Sequence, residues 1–146
     1  MAKLNFHNQA AFTLLELLFA VTIVSLITFI SVPVGYKLYE QQQIKQFFRV
    51  FDADVLFIQN QSLHQSNHYK IVLNTNSYSV SNHDGMIFKR DYPKQISYRN
   101  TANNKISFYR HGTIENPGTF FFYVHDGSRY KVVFPFGKGR HYIEKQ

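Results

Sequence analysis

Cysteine is absent from the chain, which excludes disulfides, cysteine-ligated zinc and thiol catalysis. The compartment stays open, because extracellular domains need not carry disulfides. Acidic residues are scarce as well: 9 Asp plus Glu stand against 16 Lys plus Arg, a net charge of +7. The imbalance is local. From Ser66 onward there are 12 basic and 5 acidic residues, so that section accounts for the whole surplus. Such a domain attracts polyanions, DNA or the anionic polymers of a cell wall among them. The plainer alternative is a soluble surface with a basic bias. Signatures of catalysis are missing too. The serines lie in polar loops or alternating strands, with no Gly-x-Ser-x-Gly elbow. Gly137-Lys138-Gly139-Arg140 lacks the spacing of a phosphate loop and opens no helix. His64 and His68 have the spacing of a helical zinc pair, but His68 falls where the helix should end and no third ligand is in register. The expectation is no enzyme, no metal and no cofactor.

What the chain does have is a long apolar run near its start. Phe12 to Val34 spans 23 residues, and Glu16 is the one charged residue among them. About 20 mainly apolar residues suffice to cross a bilayer as a helix. A carboxylate in such a segment is costly and is read by default as functional. The competing reading is a plain anchor whose Glu16 sits at headgroup level, where the cost is small. Within the run, Thr22, Ser25, Thr28 and Ser31 recur every three residues. Their hydroxyls can bond back to helix carbonyls, and small residues permit close helix–helix approach. Pro33 removes one helical hydrogen bond and Gly35 loosens the backbone just beyond, so a kink or local melting is expected there.

Ala11-Phe12-Thr13-Leu14-Leu15-Glu16 resembles the processing site of type IV prepilins and pseudopilins. In that family a short hydrophilic leader is cut just before Phe-Thr-Leu-x-Glu, and the apolar helix stays on the mature protein. A secretory signal differs, since its cleavage site follows the apolar region. The resemblance implies a leader of residues 1–11, cleavage by a prepilin peptidase between Ala11 and Phe12, and N-methylation of Phe12. It implies further that Glu16, the fifth mature residue, serves assembly with other pilin subunits. One departure is Ala11, where the family usually has Gly. Ala at that place is similar to one minor pseudopilin of Gram-positive competence systems, which take up transforming DNA. Lys3 before the run and Lys37 and Lys45 after it do not fix orientation by charge. A cytoplasmic N-terminus and an outer C-terminal domain follow from the resemblance alone, as does a single-pass protein of the cell membrane that ends in a surface filament. Proline near the depth of Pro33 is also typical of pilins.

Tyr36 to about Gln65 reads as the helix continued beyond the membrane. Ile44, Phe47, Phe48, Phe51, Val55 and Ile58 follow helical spacing and form one apolar face. Four phenylalanines between Phe47 and Phe57 require a partner surface, and a sheet packed across them supplies it. A fully helical stretch from Phe12 to Gln65 would be roughly 80 Å long at about 1.5 Å per residue.

From Ser66 the period becomes alternating. Tyr69–Leu73 and Ser77–Val80 flank the turn Asn74-Thr75-Asn76. Asn82-His83-Asp84-Gly85 opens a strand at Met86–Arg90. Ile96–Arg99 and Ile106–Tyr109 follow with Asn103-Asn104 between them. Asp126-Gly127-Ser128 joins Thr119–Val124 to Tyr130–Phe134, and a last short strand lies around Tyr142-Ile143. The expected fold is α+β: a long N-terminal helix, its membrane half at 12–35 and its amphipathic half at 36–65, packed on an antiparallel sheet meander at 66–146. Ile106-Ser107-Phe108, Gly112, Thr119–Tyr123 and Gly139-Arg140 also look like the C-terminal sheet of minor pseudopilins.

Lys89, Arg90, Lys94, Arg99 and Arg110 are interleaved with Tyr92, Tyr98 and Tyr109, and are candidate DNA contacts. Otherwise the tyrosines alternate into the core and the cations face water. The leading expectation is a minor pseudopilin of a competence apparatus. The rivals are a subunit of type II secretion or of a surface pilus, and a single-span receptor with a basic extracellular domain.

Overall fold

The computed structural model describes residues 12–64, 68–99, 103–137 and 140–146, with the side chains of His64 and Arg110 left aside. One helix, α1 (Leu14–His64), precedes nine strands among these residues. Two compact units part between Tyr39 and Glu40, within α1.

In the first unit, every large apolar side chain from Phe12 to Val34 is exposed. No other described helix is long and apolar enough to cross a membrane. The hydroxyls of Thr22, Ser25 and Thr28 bond to the carbonyls of Leu18, Val21 and Val24 at 2.7–2.8 Å. Each side chain thereby satisfies its own polarity on the helix, as a hydroxyl in hydrocarbon must. Pro33 lies inside α1 without interrupting it. The expected local melting is therefore absent: one lost hydrogen bond does not outweigh the helical preference of the residues on both sides.

In the second unit, the rest of α1 carries the core. Phe51, Val55 and Ile58 are fully buried, and Ile44, Phe47 and Phe48 nearly so. The strands are β1 (Tyr69–Leu73), β2 (Ser77–Asn82), β3 (Gly85–Asp91), β4 (Ile96–Tyr98), β5 (Lys105–Tyr109), β6 (Thr113–Ile114), β7 (Gly118–Val124), β8 (Arg129–Phe134) and β9 (Tyr142–Lys145). They form two antiparallel sheets, of order β3-β2-β1-β5-β6 and β4-β7-β8-β9. The single meander expected from the sequence is corrected here. β4 and β5 do not pair across Asn103-Asn104; β1 takes β5, and β4 takes β7. Local turn chemistry fixed the three tight hairpins β1–β2, β2–β3 and β7–β8. The remaining pairings are long-range and leave no local mark.

Both sheets close on the phenylalanine face of α1. The Phe122 ring on β7 is the centre, with its centroid 5.6–5.9 Å from those of Phe47, Phe48, Phe51, Tyr92 and Tyr98. Such edge-to-face and tilted contacts add to the area term of burial. A 3-10 turn at Arg110–Gly112 connects β5 to β6 and seals the end of α1. The Gln59 side chain donates to the Gly112 carbonyl at 3.2 Å. Gly112 has φ +69, and a Cβ there would meet Leu63 Cδ2 at 3.1 Å. Glycine is required at that place for both reasons.

Candidate functional site

The first turn of α1 contains the feature the sequence singled out. The Glu16 amide donates to Thr13 Oγ1 at 3.3 Å, and the Leu17 amide donates to the Thr13 carbonyl at 3.1 Å. Thr13 is thus the N-cap, and Glu16 is the third helical residue. Thr-x-x-Glu is the sequence form of a capping box, a signal present in Thr13-Leu14-Leu15-Glu16 that explains why the helix begins where it does. The Glu16 carboxylate occupies the first turn, where the amide dipoles present positive charge. It is exposed along with the apolar side chains around it. Ala11, on the other side of the expected cut, lies outside the described residues; Phe12 is exposed just before the cap.

The second unit holds a buried ionic cluster that the sequence did not reveal. Asp54 on α1 is buried and accepts from the Tyr78 hydroxyl on β2. The same carboxylate accepts a two-point contact from Arg90 on β3: Nε to Oδ2 at 2.6 Å and Nη2 to Oδ1 at 3.2 Å. The hydrogen bond to Asp54 raises the Arg90 guanidinium further above its ordinary value. Burial, followed by the bond to Asp54, raises the Tyr78 phenol well above its usual range. This cluster ties the helix to the edge of the five-stranded sheet. A cleft of about 340 Å³ opens beside it, lined by Gln43, Gln46, Phe47, Tyr78, Arg90 and Tyr92 among others. Arg90 is already committed to Asp54 there.

The candidate DNA contacts are not gathered by the fold. Lys89 and Arg90 lie on edge strand β3, where Lys89 approaches Asp91 at 3.7 Å and Arg90 is held by Asp54. Lys94 is exposed in the turn between β3 and β4. Arg99 follows β4 in the other sheet, with its guanidinium 4.8 Å from the Tyr123 ring centre. Arg110 begins the 3-10 turn. The interleaved rings divide: Tyr92 and Tyr98 are core residues, while Tyr109 is exposed and packs on His68 at 4.8 Å. The expectation that these tyrosines would alternate with cations on one surface is thus corrected for two of the three. Strand alternation turns Tyr98 inward on β4, and Tyr92, just past β3, packs against Phe47 and Phe122.

Among the described residues no three His, Asp or Glu side chains cluster as metal ligands. His141 is buried against Phe134, ring centres 5.3 Å apart. Its Nε2 lies 2.8 Å from Asp52 Oδ1, a contact that becomes an ion pair only when the imidazole is protonated. Burial lowers the His141 pKa, and the Asp52 charge opposes that shift.

A family model described as the prokaryotic N-terminal methylation motif matches residues 6–32. The chain carries a type IV prepilin-like N-terminus. No curated protein and no solved structure matches the chain. The match covers the expected cut, the N-cap, Glu16 and most of the exposed apolar helix, and it supports a pilin or pseudopilin subunit. Such a motif marks a structural subunit family, made for assembly with other pilin subunits after processing by prepilin peptidase. With the single apolar helix, it fits a single-pass membrane protein assembled into a surface filament.

Proposed function

We propose that this chain is a minor pseudopilin of a competence-type filament, a structural subunit that serves DNA uptake by assembly and not by catalysis. The observation that carries the reading is the methylation motif at 6–32, continuous with an exposed apolar helix that bears one carboxylate. On this reading residues 1–11 are the leader, 12–35 the membrane half of the helix, 36–65 its amphipathic half and 66–146 the basic β domain. The apolar run holds the precursor in the membrane. Prepilin peptidase cuts between Ala11 and Phe12, and the new Phe12 amine is methylated. Pro33 is the point at which the helix can bend as subunits pack, since it lacks one restraining hydrogen bond.

Glu16 then pairs with the Phe12 amine of a neighbouring subunit. A charged group costs about 3 kcal/mol at the centre of a spanning helix on insertion scales, and both the carboxylate and the amine carry part of that cost near its end. Both are offset only where the two charges meet, so the pair sets the stagger of subunits. Thr22, Ser25 and Thr28 of the hydroxyl stripe, already bonded to their own helix, leave small side chains for close approach.

N-terminal sequencing and mass spectrometry of the mature protein test the reading. The expected N-terminus is methylated Phe12, and a bulky residue in place of Ala11 should leave the precursor uncut. An intact residue 1 on the membrane-inserted protein would instead identify a single-span receptor. Glu16→Ala should abolish filament assembly and transformation; unchanged assembly refutes the stagger role. Secretion rather than transformation lost on deletion would favour a type II secretion subunit.

A further inference from the structure

The outer face of the four-stranded sheet carries a cation–aromatic surface that the sequence-based grouping did not contain. Register places Ser97, Tyr123 and Arg129 in one cross-strand row, and Phe121, Lys131 and Glu144 in the next. Val133 and Tyr142 share the third row with Thr119. The inner face alternates with these residues: Phe120, Phe122 and Val132 are core. Arg99, one residue past inward-facing Tyr98, falls on the outer side and lies over the Tyr123 ring at 4.8 Å. Arg129 lies over the Phe121 ring at 5.3 Å.

A guanidinium stacked on a ring uses its flat face and keeps its N–H edge for an acceptor. The ring also fixes the side chain beforehand, which lowers the ordering cost of binding. Among the described residues, neither Arg99, Arg129 nor Lys131 forms an ion pair, although Glu144 is Lys131's register partner. Across strands about 4.8 Å apart, these three cations cover roughly 10 Å. A nucleic-acid strand carries one negative charge per phosphate, so three cations can meet up to three phosphates. Tyr142 adds a free ring: it is 51% exposed on the same face.

We propose that this face binds a DNA strand, with Arg99, Arg129 and Lys131 on its phosphates and Tyr142 stacked on a base. Charge complementarity selects a polyanion, and the free ring selects one with bases. The filament reading enters only by placing the face outside the membrane; the chemistry of the face does not depend on it.

The test uses the full-length chain in neutral detergent and a labelled oligonucleotide, single-stranded or duplex, followed by fluorescence anisotropy. Three phosphate contacts give a salt slope of about −2 for a single strand, or roughly an 18-fold loss of affinity from 50 to 200 mM salt. R99Q/R129Q/K131Q should lower single-strand affinity at least tenfold at low salt. K131Q alone leaves the ring stacks intact and should flatten the slope by about 0.7. Y142A should weaken single-strand binding about fivefold or more while leaving duplex binding unchanged. K89Q/K94Q, on the other sheet and its turn, should change nothing beyond twofold.

Absence of binding at 50 mM salt overturns the inference, as does an equal loss in K89Q/K94Q. Displacement by polyglycerol phosphate at equal phosphate concentration also overturns it, because the face would then read wall polymer and not bases. An uncut N-terminus with binding intact overturns the filament reading alone.

Discussion

Removing the Asp54 carboxylate tests how α1 is held to the five-stranded sheet. Asp54→Ala leaves the Tyr78 hydroxyl, on a fully buried side chain, without its acceptor. A buried donor stripped of its partner costs about 1–3 kcal/mol. It also frees the Arg90 fork, whose side chain is 48% exposed, so that contribution is discounted to below about 1 kcal/mol. The expected total is about 1–4 kcal/mol, or roughly 5–20 °C in Tm for a domain of this size. Tyr78→Phe removes the donor together with its need for a partner and should cost about 1 kcal/mol. Asp54→Asn keeps an acceptor for Tyr78 and should fall between the two. Thermal unfolding of the full chain in detergent, followed by near-ultraviolet circular dichroism, ranks the three. A Tyr78→Phe loss exceeding that of Asp54→Ala would refute the reasoning, since the ring is kept in that variant and the energy would then lie with the hydroxyl and not with the carboxylate that accepts from it. The same series separates structure from binding: Arg90→Gln should lower Tm by about 1 kcal/mol equivalent while DNA affinity stays put.

Phe122→Ala should cost about 3–5 kcal/mol by opening a cavity at the meeting point of helix and both sheets, measured by urea unfolding. Tyr92 is buried, and its hydroxyl has no hydrogen-bond partner among the described residues. Tyr92→Phe should therefore be neutral or stabilise by up to about 1 kcal/mol. Burial raises the Tyr92 and Tyr78 pKa values in the folded state, so their contribution is complete below the unfolded value near 10 and is lost as pH rises beyond it. Wild type should lose stability above about pH 10, and Tyr92→Phe should lose less of it. His141 has the opposite sign: burial lowers its pKa, so its contribution is complete above about 6.5 and is lost as pH falls through the lowered folded value. Asp52→Asn removes the charge that opposes the shift and should steepen the acid loss of Tm, whereas no change in the profile would remove His141 as its source.

The helix and its apolar face were legible because both arise from local spacing. Phe47, Phe48, Phe51, Val55 and Ile58 announce one buried stripe, and all are in the core. The hairpins at Asn74–Asn76 and Asp126–Ser128 were legible for a related reason. Their turn residues act within a few positions, as when the Asp126 carboxylate accepts from the Ser128 amide and hydroxyl at 2.9 and 2.6 Å. The division into two sheets was not legible. It depends on β1 pairing with β5 and β4 with β7, partners far apart in the chain that no local turn signals. The Asp54–Tyr78–Arg90 cluster was hidden likewise, since its members are 24 and 36 residues apart.

The basic surplus shows most directly why composition underdetermines a surface. Counting cations from Ser66 onward treats Arg90 and Arg99 alike, yet Arg90 is bound to a buried carboxylate and Arg99 is spread over the half-buried Tyr123 ring. Arg129 and Lys131, which drew no notice as a sequence motif, join Arg99 because β4, β7 and β8 are neighbours. Period-two alternation had already determined which of them face outward: Tyr130 and Val132 point to the core, so Arg129 and Lys131 cannot. What the sequence lacked was strand order. Once that is supplied, a uniform positive charge resolves into one cation that holds the fold and three that are free to hold a phosphate chain.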